Sequence, residues 1–404
     1  MKVETVIIGG GLSGLSCAVR LEKEKRDYLL LEKSNRLGGR VGSIYEDGNI
    51  YDIGFQVFNT SYKNTIQLFD KNENEIDLKM FKPGSVVHDG FSFKLISDPL
   101  RDPKQLFVSL FSSLSSFRDK LRVLYLISDL YHYDIKKDRS KDMSTIDFLK
   151  KRKFSAKFIE LFFSPFFAGI FLEKKLHTSS KFFKYVFSNF SKGLACLPKE
   201  GMQKIPDLIS SSLNSDRIVL NQNLEKIENE NSLIFNNGLS IEANNIVLTG
   251  GSHEKIGLNP VKYNSVQNLY FVSDIDIKNG KYIHLFPKDS IINNIAILNK
   301  ISSNYCTANN LLSISIIGSD SINKIDISMI KKKLSNYFGG SKSNYDYVKN
   351  FSIKNASIMQ KNNFFQSKSQ PSPKGFIIAG DHCFYGSIEG AVLSGLKASE
   401  KVLS

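Results

Sequence analysis

The chain opens on Val6-Ile7-Ile8-Gly9-Gly10-Gly11-Leu12-Ser13-Gly14-Leu15. An apolar run feeds a glycine-rich turn, and the turn feeds a segment of helical apolar period. A second apolar run, Tyr28-Leu29-Leu30-Leu31, ends at Glu32. Strand, glycine turn, helix, strand and acidic residue in this order make the unit that grips a dinucleotide. Gly9 permits the tight bend, the absent side chain of Gly11 lets a pyrophosphate approach the backbone, and Gly14 lets the helix pack close to the strand. The free N–H groups around Leu12 and Ser13, with the positive end of the helix dipole, then face the phosphates. Glu32 is placed to accept hydrogen bonds from a ribose diol, with Lys33 beside it, and its charge disfavours a 2′-phosphate.

The other end of the chain answers the first. Phe376-Ile377-Ile378-Ala379-Gly380-Asp381 reads as a strand, and 387–403 as a helix. A buried parallel strand needs neighbours in a sheet, and the N-terminal unit supplies one. The dinucleotide-binding part is therefore expected to be discontinuous. The expected division is 1–61, 191–255 and 370–404 for that part, with 62–190 and 256–369 forming a substrate domain. The fold class expected is α/β, a Rossmann-like domain joined to a second α+β domain of mixed sheet and helices. Residues 62–190 read mainly as helix, 217–250 and 266–360 as short strands, Asn236-Asn237-Gly238 as a hairpin turn, and 360–374 as a loop.

A length of 404 residues suffices for two domains and a large core. The net charge of +14 comes from lysines scattered along the chain. With no arginine-rich recognition helix, it reads as a solvated surface rather than a nucleic-acid footprint. Cys17, Cys196, Cys306 and Cys383 form no CxxC pair, and such thin usage suits a reducing compartment. The first strand begins at once, without a signal-peptide pattern, and no apolar run reaches the ~18 residues needed to span a bilayer. A cytoplasmic location is expected. The basic amphipathic segment 104–136 offers peripheral contact with a membrane.

A third element, Arg36-Leu37-Gly38-Gly39-Arg40, follows Glu32. Its glycines let the backbone bend over a dinucleotide, and an arginine can meet pyrophosphate charge. Together, Gly9 to Gly14, Glu32 and Arg36 to Arg40 resemble the flavin-binding signature of the superfamily of FAD-dependent amine oxidases, protoporphyrinogen oxidases and phytoene desaturases. Asp52-Ile53-Gly54-Phe55-Gln56-Val57-Phe58 resembles the segment that passes beside the isoalloxazine ring there. Gly380-Asp381-His382 followed by Ser387-Ile388-Glu389-Gly390-Ala391 resembles its C-terminal flavin motif. The resemblance implies FAD as cofactor, with Asp381 on the ribityl chain and the N–H groups of 388–390 facing the flavin pyrimidine edge. There they would stabilise the negative charge of reduced flavin. It also puts Leu224 against adenine. No second GxGxxG lies near Gly250-Gly251, which argues against a separate NADPH domain.

The cofactor is thus more legible than the chemistry. Hydride transfer to a flavin needs alignment and exclusion of water more than a side-chain acid or base. Lys300, His382, Gln56 and Tyr385 are the candidates near the reacting centre, each with a plain packing or surface alternative. The remaining histidines lack paired metal-ligand spacing, so no metal is expected. Segment 154–190 is crowded with phenylalanine, which is expected to be core and in part the wall of an apolar cavity. The expected function is oxidation of a hydrophobic small molecule, with the electron acceptor open. Desaturation of a polyene or isoprenoid-like compound ranks ahead of amine oxidation, since no aromatic amine cage is recognisable in the sequence. A redox-neutral flavin-dependent isomerase or mutase, and a non-catalytic prenyl or lipid carrier, are the alternatives on the same scaffold.

Overall fold

The computed structural model describes residues 1–69, 76–97, 114–307, 309–318, 325–365, 373 and 375–404. The start of the amphipathic segment (104–113), the boundary at 370 and Pro371 lie outside the described residues. Strand β1 (Lys2–Ile8), helix α1 (Leu12–Lys23) and strand β2 (Tyr28–Leu31) form the expected opening unit. β1 lies between two parallel neighbours, β2 and the strand Ser240–Thr249. β2 in turn pairs with Ile218–Val219. The upper half of Ser240–Thr249 pairs in parallel with Phe376–Ala379, so Ile246 to Leu248 lie between the chain's first and last strands. Its lower half carries the antiparallel strand Ser232–Phe235, which turns at Asn236–Gly238 with Gly238 at φ +80°. All four residues of β2 are buried, as expected of a parallel strand covered on both faces.

Two helices pack face to face beneath this sheet. The closing helix Ile388–Leu403 sits so close to α1 that a Cβ on Gly395 would lie 2.0 Å from the Ser13 carbonyl. The Ser16 hydroxyl donates to the Val392 carbonyl at 3.0 Å across the same seam. The two ends of the chain are thereby one body.

The second sheet has seven strands, in the order Tyr345–Ile358, Tyr263–Ser273, Asn310–Ile317, Ile292–Ile297, Ile283–Leu285, Gly84–His88 and Phe93–Ser97. Here the structure departs from the reading of 62–190 as mainly helical. Residues 84–97 form a hairpin at the edge of this sheet, and Gly84–His88 runs parallel to Ile283–Leu285. Their partner is supplied from about two hundred residues further along, which local periodicity does not reveal. Leu78–Met80 similarly joins Ala195–Pro198 in a small sheet with Phe58–Asn59.

From 117 onward the helical expectation holds. Helices Phe117–Leu130, Thr145–Lys151, Ser164–Phe171 and Ser180–Lys192 enclose an aromatic core. Phe158, Phe163, Phe167, Phe171, Phe182 and Phe183 are all essentially inaccessible.

Candidate active site

The turn between β1 and α1 is built by close approach. Gly9 has φ +104°, and a side chain there would strike the Thr249 hydroxyl. A Cβ on Gly14 would lie 2.0 Å from the Gly9 carbonyl, so only glycine lets the helix begin here. Gly11 is different: an added Cβ would meet only the Gly39 Cα, at 3.9 Å, so the backbone faces open space. Gly11 is the N-cap of α1 but gives no side-chain cap, and the first turn contains no acidic residue. The helix start therefore keeps its unpaired N–H groups and its positive field for an anion.

Glu32 closes one side. It is buried, and one carboxylate oxygen accepts from the Gly10 N–H at 2.7 Å. The other oxygen accepts from the Ser34 N–H and hydroxyl at 2.9 and 2.7 Å. A carboxylate has about four lone-pair sites, so one remains for a further donor. Leu224 is buried in the core beside Leu31, two residues beyond Gln222, whose N–H donates to the Glu32 carbonyl at 2.9 Å. Lys33 is exposed.

The glycine pair folds over the turn. Gly38 N–H donates to the Gly10 carbonyl at 2.8 Å, and Gly38 and Gly39 adopt φ +107° and +59°. Arg36 holds this loop by donating to the carbonyls of Leu37, Gly39 and Val41. It faces its own loop, which leaves Arg40 as the arginine of the open side. The Arg40 guanidinium donates to the Asp381 carboxylate at 2.6 Å and rests over the Tyr263 ring. Asp381 is 5% exposed. A residue of the N-terminal motif and a residue of the C-terminal motif, 341 positions apart, are thus in direct contact at the edge of the open turn.

Gly54 (φ +85°), Phe55 and Gln56 follow. Gln56 is a brace: its amide donates to the carbonyls of Arg40 and Ile53, both at 2.8 Å. The closing helix is capped by the Ser387 hydroxyl, which accepts from Gly390 N–H at 2.9 Å, and Ala391 N–H donates to the Ser387 carbonyl. The N–H groups of Gly390 and Ala391 are therefore used within the helix start, and those of Ile388 and Glu389 head it. Gly380 (φ +152°) lets the His382 ring fold back over the backbone. Burial lowers the His382 pKa to about 4. Lys300 stands apart from this assembly, with its stem lying against Gly280.

Three groups complete the far end, joining Glu389, Tyr385 and Asp52 of the marked segments to partners that sequence reasoning did not single out. Glu389 is buried and accepts four hydrogen bonds, from the N–H and side chains of Asn64 and Thr65, between 2.6 and 3.0 Å. It ties the closing helix to the segment beyond Gln56. Tyr185 and Tyr385 pack with ring centroids 4.2 Å apart, and burial pushes both phenols up. Asp52, at the end of the hairpin Ser43–Glu46/Asn49–Asp52, is buried. Its carboxylate accepts from Ser43 (2.6 Å), Met202 N–H (2.9 Å) and Tyr305 (2.7 Å), and burial raises its pKa to about 6. The Glu-Gly-Ala sequence at 389–391 marks Glu389 as a candidate, but nothing local marks its partners or Tyr185.

An extended dinucleotide fits this cradle: an anion-seeking helix start, a buried acid for a diol, and an arginine–aspartate pair beyond. No group of three or more His, Cys, Asp or Glu suited to a metal occurs among the described residues. No helix among them is long and apolar enough to cross a membrane.

The family model for flavin containing amine oxidoreductase matches residues 12–273 and 302–403, most of the chain. Residues of this chain are 36% identical over 86 positions to 15-cis-phytoene desaturase of Synechococcus elongatus, a match spanning 21% of this chain and 18% of that protein. Cyclohexylamine oxidase from Brevibacterium oxydans superposes with a TM-score of 0.74 at 16% identity, covering 99% of this chain and 98% of the other. Reduced UDP-galactopyranose mutase superposes with a TM-score of 0.69 at 15% identity, covering 99% and 95%. At these identities the structural likeness is one of fold. Proteins named for an oxidase and a mutase share it, so the fold alone does not choose a substrate.

Proposed function

The chain belongs to the family of flavin-containing amine oxidoreductases, whose cofactor is FAD, and on that premise we propose that it is an FAD-dependent oxidoreductase that removes hydride from a C–H bond of a hydrophobic substrate. The observation that carries this reading is the Arg40–Asp381 contact at the open glycine turn. It supports one continuous groove made by both chain ends. In this reading, 1–61, 191–255 and 370–404 bind the cofactor, while 62–190 and 256–369 shape the substrate side.

The helix-start N–H groups near Leu12 and Ser13 hold the pyrophosphate. Glu32 takes a ribose hydroxyl and Leu224 packs on adenine. Asp381 orients the ribityl chain, with Arg40 fixing its carboxylate. Gly54 and Gln56 keep the backbone flat along the ring. The N–H groups of Ile388 and Glu389 stabilise charge at the ring's pyrimidine edge. FAD, when bound, supplies the hydride acceptor. The aromatic wall excludes water and aligns the substrate.

Desaturation of a polyene or isoprenoid-like compound is favoured by the phenylalanine cluster, whose buried rings extend to Tyr385. Amine oxidation is the second reading, and the Tyr185–Tyr385 pair favours it, since two packed phenol rings can flank a cationic or polar centre. An anaerobic screen of polyenes and amines for bleaching of the bound flavin separates the two. Bleaching by polyenes is expected, and bleaching by amines alone would reverse the order.

Peripheral membrane contact belongs to the same reading. Helix Phe117–Leu130 turns Phe117, Leu121, Leu124 and Tyr125 outward, between 44 and 67% exposed. The Arg152 guanidinium lies over the Tyr125 ring, and Lys192 over Tyr131. The inner residues Leu126 and Leu130 join the aromatic core. An apolar strip bordered by cations suits an anionic bilayer. Co-sedimentation with phosphatidylserine vesicles, abolished in Leu121→Glu/Leu124→Glu, is the expected outcome; equal sedimentation of that variant would contradict it.

A further inference from the structure

Behind Asp381, at the edge of the parallel sheet, lies a cavity of about 900 Å³ that the dinucleotide cradle does not use. One wall is the face of the closing helix opposite α1, carrying Lys397 and Lys401; the other comprises 258–262 and 359–364. None of the glycine-turn residues, Glu32 or Arg40 lines it. Four lysines stand around it, Lys262, Lys361, Lys397 and Lys401, all exposed. Lys397 pairs with Glu400. Lys262, Lys361 and Lys401 form no ion pair among the described residues, and none of the described residues lining the cavity is Asp or Glu. The charge facing this space is therefore uncompensated.

The wall also holds a pair of histidines and an apolar surface. His382 lies at the cavity, with its ring stacked on His253 at 5.0 Å. Both His382 ring nitrogens are buried and lack a hydrogen-bond partner among the described residues. Buried polar atoms in native structures are nearly always partnered, so this ring is an exception in the wall of the cavity. Gly380 pins the ring there, since a Cβ at that position would lie 2.4 Å from it. Met359, Phe364 and Phe384 give the same cavity apolar surface.

We propose that this groove is a second ligand site, which takes an organic phosphate with an aromatic or apolar body. The three unpaired lysines match a dianion better than a single carboxylate. The aromatic and thioether side chains cover the body, with the stacked His253 and His382 rings as part of the wall. The site does not depend on the reading of the flavin cradle.

The test is calorimetric titration of the FAD-saturated protein with phenyl phosphate and, separately, with inorganic phosphate. One saturable site is expected, tighter for phenyl phosphate than for inorganic phosphate by about tenfold or more. Lys361→Glu/Lys401→Glu should weaken it at least about tenfold with the flavin absorbance unchanged. Phe364→Ala should weaken phenyl phosphate while leaving inorganic phosphate as it was. Absence of saturable binding at millimolar phenyl phosphate would overturn the proposal. So would equal binding by the charge-reversed protein, or inorganic phosphate binding as tightly as phenyl phosphate.

Discussion

The cradle and the aromatic core hold together by opposite means. In the cradle, backbones touch. A Cβ on Gly14, Gly390 or Gly395 would lie 2.0 Å from a carbonyl oxygen, so the contact exists only because no side chain is there. In the aromatic core, side chains do everything. Phe163 meets Phe154, Phe158 and Phe183 at centroid distances of 4.9, 5.0 and 6.2 Å, and these contacts constrain shape and volume more than identity. A backbone contact admits one residue, whereas a packed ring admits several. The part that grips a cofactor is therefore written in fixed glycines, and the part that would meet a substrate is written in interchangeable hydrophobes.

The largest effect is expected at Phe163. Phe163→Ala removes a ring with no exposed surface and should cost about 3–5 kcal/mol. Phe163→Leu should cost about 1.5 kcal/mol or less. The molecules still folded should keep their FAD in both cases. Denaturant unfolding beside flavin absorbance reads this, and loss of FAD from folded Phe163→Ala protein would show that the two regions are not separable.

Asp52, buried against Tyr270 and Tyr305, gives stability a pH dependence. Its pKa in the folded protein is raised from 3.8 to about 6 by burial, so folding favours the protonated form. Its contribution to stability is full below about pH 4 and is lost as pH rises through about 6, a change on the order of 2–3 kcal/mol. His382 acts in the opposite sense, because its lowered pKa makes stability fall as pH drops from about 6.5 to about 4. Asp52→Asn should remove the first slope and leave the second. An unchanged pH profile in that variant would place the titration elsewhere.

Gly14→Ala is the converse of Phe163→Ala. Overpacking against the Gly9 carbonyl should cost about 1–3 kcal/mol, a smaller loss of stability, but with loss of FAD from the folded protein. Retention of FAD at wild-type affinity would mean that the turn is ordinary packing.

Legibility followed the same divide. Gly9, Gly11, Gly14 and Glu32 are close in sequence, and spacing alone carries their geometry. Gly380 and Asp381 were legible as a strand end, and their partner Arg40 lay in a motif already marked. What stayed hidden depends on distant chain. The strand Gly84–His88 has its parallel neighbour at 283–285, Glu389 is satisfied by Asn64 and Thr65, and Tyr185 meets Tyr385 only after the helices pack. Lys300 follows a strand as expected, yet the fold lays it on Gly280, and no local pattern distinguishes that position from one beside the ring.

The most direct measurement is the FAD content of the purified protein and of Glu32→Ala and Asp381→Ala, by flavin absorbance after equilibrium dialysis. A yellow wild-type protein is expected, with each variant binding FAD more weakly by about 1–3 kcal/mol through lost charge-assisted hydrogen bonds. A wild-type protein that stays colourless after FAD is added, or variants that hold it as tightly as the wild type, would contradict the claim that the two ends of the chain form one cradle.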